Sequence, residues 1–312
     1  MLKYNPILTQ CNIQEYLSKM QQQPEQLVAQ AEANYRQQIT DVCDFIEREK
    51  RFMILVTGPS ASGKTTTAQR LAQELRARGK RVNSISLDNF YKCAAELPRW
   101  KDGYQNYESI EGLDLPLFDE VVTSLLTNGR ASFPLFDFSV RQRAEQRIDL
   151  EFDSQTYLIF EGIHALSPQI SDVISNYPNM KIYISVHSDF TDADGKILLA
   201  ARDLRLIRRI LRDFTYRSTS ADKTFEMWDY VTMGEELYIR PNRKYADWHI
   251  DSTHVYEPFL YHDEILHALD GTTPQSAYLP AIERLYQSAS HFFGISPALI
   301  PQDSLIREFM KP

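Results

Sequence analysis

Gly58-Pro59-Ser60-Ala61-Ser62-Gly63-Lys64-Thr65 carries every fixed position of a phosphate-binding loop. In such a loop, successive backbone N–H groups and the positive end of the following helix cradle an anionic phosphate. The Lys64 ammonium would reach the β- and γ-phosphates, the Thr65 hydroxyl would hold Mg²⁺, and Thr66 opens the helix behind them. The chemistry implied is the binding of a nucleoside triphosphate by Gly58 through Thr66.

Two carboxylates fall where such a site would use them. Arg81 to Leu87 alternates like a strand and ends in Asp88-Asn89-Phe90-Tyr91. Thr156 to Phe160 is wholly apolar and closes on Glu161-Gly162. In parallel sheets ligands sit beyond the carboxyl ends of the strands, so both acids lie on the functional edge. Glu161 is placed to complete a metal site with Thr65. Asp88 alone could equally cap a turn. His164 reads as a loop histidine more readily than as a substrate contact.

A third chemical signal is cationic. Arg205, Arg208, Arg209 and Arg212 fall at helical steps of three and four, while Leu204, Ile207 and Leu211 line another face. Asp213 is spaced to pair with Arg209. Four arginines in eight residues of an acidic chain suit a transferring phosphate, which needs cationic donors.

These residues need a scaffold, and the apolar pattern supplies one. Phe52 to Thr57 reads as a buried strand, Thr66 to Arg78 as a helix ending at Gly79, and Leu113 to Leu126 as another ending at Asn128-Gly129. Met180 to Val186 and Tyr245 to Ile250 read as further strands. Leu97 to Ile110 is a long loop dense in aromatics, of the kind that faces substrate. HSDFTDADG, after Val186, reads as a solvated acidic turn, followed by a helix from Lys196 to about Arg217. The pattern predicts an α/β fold of the P-loop NTPase type in three layers, with a mainly parallel sheet and helices on both faces. The α/β domain spans 51–256, with a helical extension over 1–50 and a second over 257–312 that offers no evident chemistry. In the first extension, Leu27, Ala31, Tyr35, Ile39, Val42 and Ile46 form a helical stripe from Pro24 to Lys50. That helix packs on the domain or pairs two copies, so a homo-oligomer stays open.

The 312 residues carry a formal net charge of −8, which argues against a nucleic-acid partner. No apolar run approaches the roughly 20 residues that span a bilayer. The N-terminus reads as lacking a secretion signal. Cys11, Cys43 and Cys93 are odd in number and far apart, as free thiols of a reducing compartment would be. A cytoplasmic protein acting on a small molecule is the expectation.

Taken in order, several segments resemble the uridine kinase and phosphoribulokinase family. They are the loop at 58–65, Ser86-Leu87-Asp88-Asn89-Phe90-Tyr91, Pro134-Leu135-Phe136-Asp137-Phe138, Phe160-Glu161-Gly162, Asp203 to Asp213, and Pro241 to Asp247. Ile300 to Phe309 is similar to the tail of long bacterial uridine kinase-like proteins, here without the N-terminal domain that such proteins often carry. The resemblance implies a kinase that uses ATP and Mg²⁺ to phosphorylate the 5′-hydroxyl of uridine or cytidine. It implies Asp88 as the base and Lys64 at the phosphates, with Arg205 and Arg208 in a lid over the transferring group. It implies Tyr91, Tyr107 and Glu108 in the substrate pocket, with Glu108 at the ribose hydroxyls. Phe136 and Arg141 stand where the family commonly has tyrosine and histidine against the base, so the chain departs from the pattern there. A kinase of the same fold acting on another alcohol, such as a sugar phosphate or vitamin precursor, and a non-enzymatic nucleotide switch are the alternatives.

Overall fold

The computed structural model describes residues 9–273 and 276–310. The first eight residues, on which part of the N-terminal reading rests, lie outside that range. The chain opens with β1 (Thr9–Asn12), α1 (Ile13–Gln22) and α2 (Pro24–Arg48). Next, β2 (Met53–Thr57) leads into α3 (Lys64–Ala77), and β3 (Arg81–Ser86) leads on to α4 (Leu115–Asn128). An antiparallel pair, β4 (Arg130–Asp137) and β5 (Gln142–Glu151), precedes β6 (Thr156–Glu161) and the single turn α5 (Pro168–Ser171). Then come β7 (Asn179–Ser185), β8 (Ser188–Thr191), β9 (Ile197–Leu199), α6 (Ala201–Arg217) and α7 (Ala221–Gly234). The rest is β10 (Trp248–Asp251), α8 (Glu257–Asp270) and α9 (Leu279–Ala289).

Five strands form one sheet in the order β10-β7-β2-β6-β3, and every pairing in it is parallel. Every residue of β2 and β6 is buried, as suits central parallel strands that are apolar but for Thr57, Thr156 and Glu161 at their ends. Alternate residues feed opposite layers. Ile54, Val56, Ile159 and Ile182 pack toward α2, α3, α6 and α8. Met53, Leu55, Leu158 and Phe160 pack toward α4 through Phe118, Val122 and Leu125. The order also sets β2, β6 and β3 side by side, so the phosphate loop, Glu161 and Asp88 emerge from adjacent strands.

The stripe along α2 is buried as read, with Leu27, Ala31, Tyr35, Ile39, Val42 and Ile46 inside the core. It packs within the chain, so it offers no apolar surface to a second copy. Tyr35 reaches α3, where its hydroxyl lies 2.8 Å from Thr67 Oγ1.

Three expectations differ. The N-terminal extension is not wholly helical, because β1 pairs in parallel with β8. The acidic segment after Val186 is not a solvated turn: Phe190 and Thr191 are buried, and β8 pairs with β9. That pairing takes up Ile197–Leu199, so the following helix starts at Ala201 and not at Lys196. Gln142–Glu151, a span for which the sequence predicts no element, is a ten-residue strand, β5, exposed along most of its length. With polar side chains on both faces it gives no alternation to read.

Candidate active site

A cavity of about 1480 Å³ opens at the carboxyl edge of β2, β6 and β3. Its donor end is the phosphate loop. Gly63 has φ +84, the left-handed region where a side chain is strained, and so turns the loop into α3. The first helical bond joins Thr67 N–H to the Gly63 carbonyl, which leaves the N–H groups of Lys64, Thr65 and Thr66 outside the helical ladder. Ser60, Ala61, Gly63, Lys64, Thr65 and Thr66 line the cavity. Gly58, Pro59 and Ser62 do not. Ser62 is fully buried, and the Pro59 carbonyl accepts from Lys64 Nζ at 3.1 Å, so these residues shape the loop from beneath.

At the floor, Asp88 and Glu161 face Lys64. Ser86 Oγ donates to Glu161 at 2.7 Å across the β3–β6 pair. Burial raises the Asp88 carboxyl above its ordinary value, opposed by the charges of Lys64 and Arg217. Burial and the neighbouring Asp88 push Glu161 up to about 7. Burial pulls the Lys64 ammonium down, while Glu161 and Asp88 act to keep it charged. Two acids crowded at the mouth of the loop favour a cation between them.

Arg205 and Arg208 are not where a lid would put them. Arg208 is 0% exposed and forms a two-pronged pair with Glu257, at 2.6 and 2.7 Å, while its Nη1 donates to the Ala61 carbonyl. Arg205 is 5% exposed, pairs with Glu235 at 2.7 Å and donates to the Ser60 carbonyl at 3.0 Å. Neither lines the cavity. Both guanidiniums are satisfied by carboxylates and hold the loop from behind, which corrects the expectation that they close over the transferring group. The cations lining the cavity are Lys64, Arg209, Arg212 and Arg217, with Lys92, Arg99, Arg141 and Lys223 farther round its wall. Arg209, Arg212 and Arg217 share the buried carboxylate of Asp213 at 3.2–3.3 Å. Three positive charges on one negative leave a net positive wall opposite Asp88. Arg217, just over one turn beyond the arginine run, also lines the cavity.

The far end is aromatic. Tyr91, Tyr107, Phe136 and Phe138 line it, with ring centroids 6.5 Å apart for Tyr91–Tyr107 and 6.1 Å for Tyr91–Phe136. The Tyr91 hydroxyl donates to the Tyr107 carbonyl at 2.8 Å, and the Tyr107 hydroxyl to Gln105 at 2.6 Å. Both phenols therefore stiffen the loop. Asn106 accepts from the N–H groups of Glu108 and Ser109 and fixes the turn between them. Asn89, beside Asp88, accepts from the Phe136 N–H at 3.1 Å and ties the β4–β5 hairpin to the end of β3. Tyr104, in the aromatic-dense loop, stacks at 4.3 Å on Tyr230 of α7 and completes the wall; Tyr230 carried no local sign of this place.

Glu108 lines this end, and Oε2 is buried without a hydrogen-bond partner. Burial pushes its carboxyl up to about 7. Its side chain fills the place of a Cβ at Gly234, which would stand 2.1 Å from Glu108 Cβ, so glycine on α7 is what admits it. Arg141 sits at the exposed hairpin tip with φ +54 and has no ion-pair partner among the described residues. His164 is buried and outside the cavity, its pKa lowered by that burial to about 4. The C-terminal extension, which gave no chemical signal in sequence, delivers Glu308 into the cavity.

A phosphate loop on the edge of a parallel sheet, with carboxylates on the two neighbouring strand ends, defines the P-loop kinase class of fold and site. The chain belongs to the phosphoribulokinase / uridine kinase family, whose model matches residues 53–257. It is 29% identical over 202 residues to a uridine kinase of Lactobacillus helveticus, covering 64% of this chain and 85% of that one. A uridine kinase of Bacillus pumilus is also 29% identical, over 64% of this chain and 86% of its own. Among solved structures, a "Possible Uridine Kinase" from Bacillus stearothermophilus matches with a TM-score of 0.47 and 17% identity, over 69% of this chain and 98% of its own. A D-glycerate 3-kinase from Cryptococcus neoformans gives 0.42 and 15%, over 70% and 88%. The protein is a kinase that phosphorylates an alcohol group of a small molecule, and ATP is the phosphate donor its family implies. Among the described residues no helix is long and apolar enough to cross a membrane.

Proposed function

We propose that the chain transfers the γ-phosphate of ATP to the 5′-hydroxyl of a nucleoside, uridine or cytidine. The observation that carries this reading is one continuous cavity joining the phosphate loop to an aromatic chamber, with Asp88 at the junction. A flat pyrimidine suits the ring walls, and the unpartnered Glu108 oxygen suits a ribose hydroxyl, which would supply its missing donor.

In this reading Lys64 and the loop amides hold the β- and γ-phosphates. Asp88 orients the acceptor hydroxyl and takes its proton as the oxygen bonds to the γ-phosphorus. The bond from that phosphorus to the β–γ bridging oxygen breaks, and the electron pair leaves with ADP. A carboxylate whose pKa is raised by burial is a better base than one in water. Arg212 and Arg217 stabilise the charge on the transferring group, in place of the buried Arg205 and Arg208. No group of three or more potential ligands forms a cation cage by itself among the described residues. Thr65 and Glu161 nonetheless fit Mg²⁺, which takes one or two carboxylates and completes its shell with phosphates and water. Bound there, the ion would neutralise charge on the β- and γ-phosphates.

Arg141 favours a second reading, in which the acceptor is a phosphorylated sugar, because an unpaired guanidinium at the acceptor end invites an anion. ADP production measured with a panel of nucleosides, sugar phosphates and other alcohols separates the two. Stimulation by uridine or cytidine supports the nucleoside reading, and stimulation by sugar phosphates alone replaces it.

A further inference from the structure

The donor end of the cavity has a wall that lies beyond the family-matched residues 53–257. The turn Leu305–Phe309 seats against the start of α3, and Leu305, Ile306 and Phe309 are fully buried. A Cβ on Gly63 would come within 2.7 Å of Leu305 Cδ1, so this turn touches the phosphate loop itself. Its anchors are firm. The Arg208 guanidinium lies 5.0 Å over the Phe309 ring, the Tyr216 hydroxyl donates to the Met310 carbonyl at 2.5 Å, and Asp303 pairs with Arg70 of α3 at 3.1 Å. From this platform Glu308 enters the cavity and accepts from Thr66 Oγ1 at 2.5 Å.

We infer that Glu308 belongs to the donor site and accepts hydrogen bonds from the ribose hydroxyls of the donor nucleotide. The Lys64 ammonium interacts with the charges of Glu161 and Asp88; Thr66 lies two residues farther along α3, and Gln69, which also lines the cavity, about one turn beyond Thr66. A ligand whose terminal phosphate points at Asp88 therefore runs its nucleoside end past Thr66 and Glu308. A carboxylate accepts hydrogen bonds and donates none, and it repels phosphate oxygens. A ligand group with hydroxyl donors suits the carboxylate, and in a nucleotide that group is the sugar, next beyond the phosphates held by the Lys64–Thr66 amides. The buried turn beneath Glu308 makes the carboxylate a fixed wall.

The inference rests on ATP being the donor and is independent of the acceptor. Calorimetric titration of the full chain with ATP and with 2′-deoxyATP tests it. The wild type is expected to bind ATP about ten-fold more tightly than 2′-deoxyATP, the size of one hydrogen bond to a charged group. Glu308→Ala should bind the two alike, with unchanged KM for the acceptor, and Glu308→Gln should keep part of the preference. Thermal melts of both variants check folding, and Glu308→Gln, nearly isosteric, carries the test if the alanine variant unfolds. Equal binding of the two nucleotides by the wild type overturns the inference, as does Glu308→Ala retaining the preference or binding ATP more tightly. If the wild type shows the preference and no nucleoside is phosphorylated, the acceptor assignment falls and this one stands.

Discussion

The two ends of the cavity are built on opposite principles. The donor end is built on one contiguous stretch, 58–66, whose working groups are mostly backbone amides and whose shape is held from outside. Arg205, Arg208 and Arg209 each bond to Ser60 or Ala61, and Tyr35 and Glu308 reach α3 at Thr67 and Thr66. The acceptor end is assembled from side chains on the loop around Tyr91–Glu108, the β4–β5 hairpin and α7. Backbone geometry tolerates few substitutions and so leaves a fixed motif, whereas a wall of side chains can be rebuilt one residue at a time. The difference explains why the donor loop is legible as a motif and the acceptor wall is not.

The largest effects should come where the two ends meet. Lys64→Ala and Asp88→Asn should each lower kcat by about 10³-fold or more, with Asp88→Asn still binding ATP in calorimetry. Normal turnover in Asp88→Asn would detach the acceptor end from the chemistry.

The arginines of α6 divide the comparison next. Arg212→Ala should reduce kcat about 10²-fold with an unchanged melting temperature, as expected for a donor acting on developing charge. Arg208→Ala should destabilise the fold by about 3–5 kcal/mol, read as a lower denaturant midpoint, because it strands the buried Glu257. If the two variants exchange these phenotypes, the assignment of buttress and cavity wall is wrong.

At the acceptor end, the double substitution Phe136→Tyr with Arg141→His should raise kcat/KM for uridine by about ten-fold through one or two added hydrogen bonds. The KM for ATP should not change. A shift in the ATP constant instead would show that the two ends are not separable.

The smallest effect concerns pH. The Glu108 carboxyl titrates at about 7 in the folded chain against an ordinary 4.5. A raised carboxylate pKa means that the folded state holds its proton more tightly, so stability falls as pH rises from the ordinary value through 7 and is level above it. Glu108→Gln removes this loss, and its Tm should exceed that of the wild type by about 2–4 °C at pH 8, with a smaller margin at pH 5. The same variant should weaken acceptor binding. A margin that does not grow with pH would show that Glu108 is not forced to ionise in a buried site.

The sequence by itself determined the class of fold and the donor chemistry. The strand, loop and helix at 52–78 form a local unit whose meaning lies in consecutive residues, and Asp88 and Glu161 are marked by their places at strand ends. It also marked the stripe that α2 buries. The tertiary structure alone decided which arginines face the cavity, because helical spacing puts Arg205, Arg208, Arg209 and Arg212 on one broad face. Their division depends on Glu235 and Glu257, about 30 and 49 residues away. Only the structure showed β5 as a strand on its neighbour β4 and β8 as a strand on the distant β1, because the side chains of β5 and β8 carry no periodic signal. Only the structure brought Glu308 to Thr66 across 242 residues. A motif is legible when its parts are neighbours along the chain, and a contact made by packing has no local trace to read.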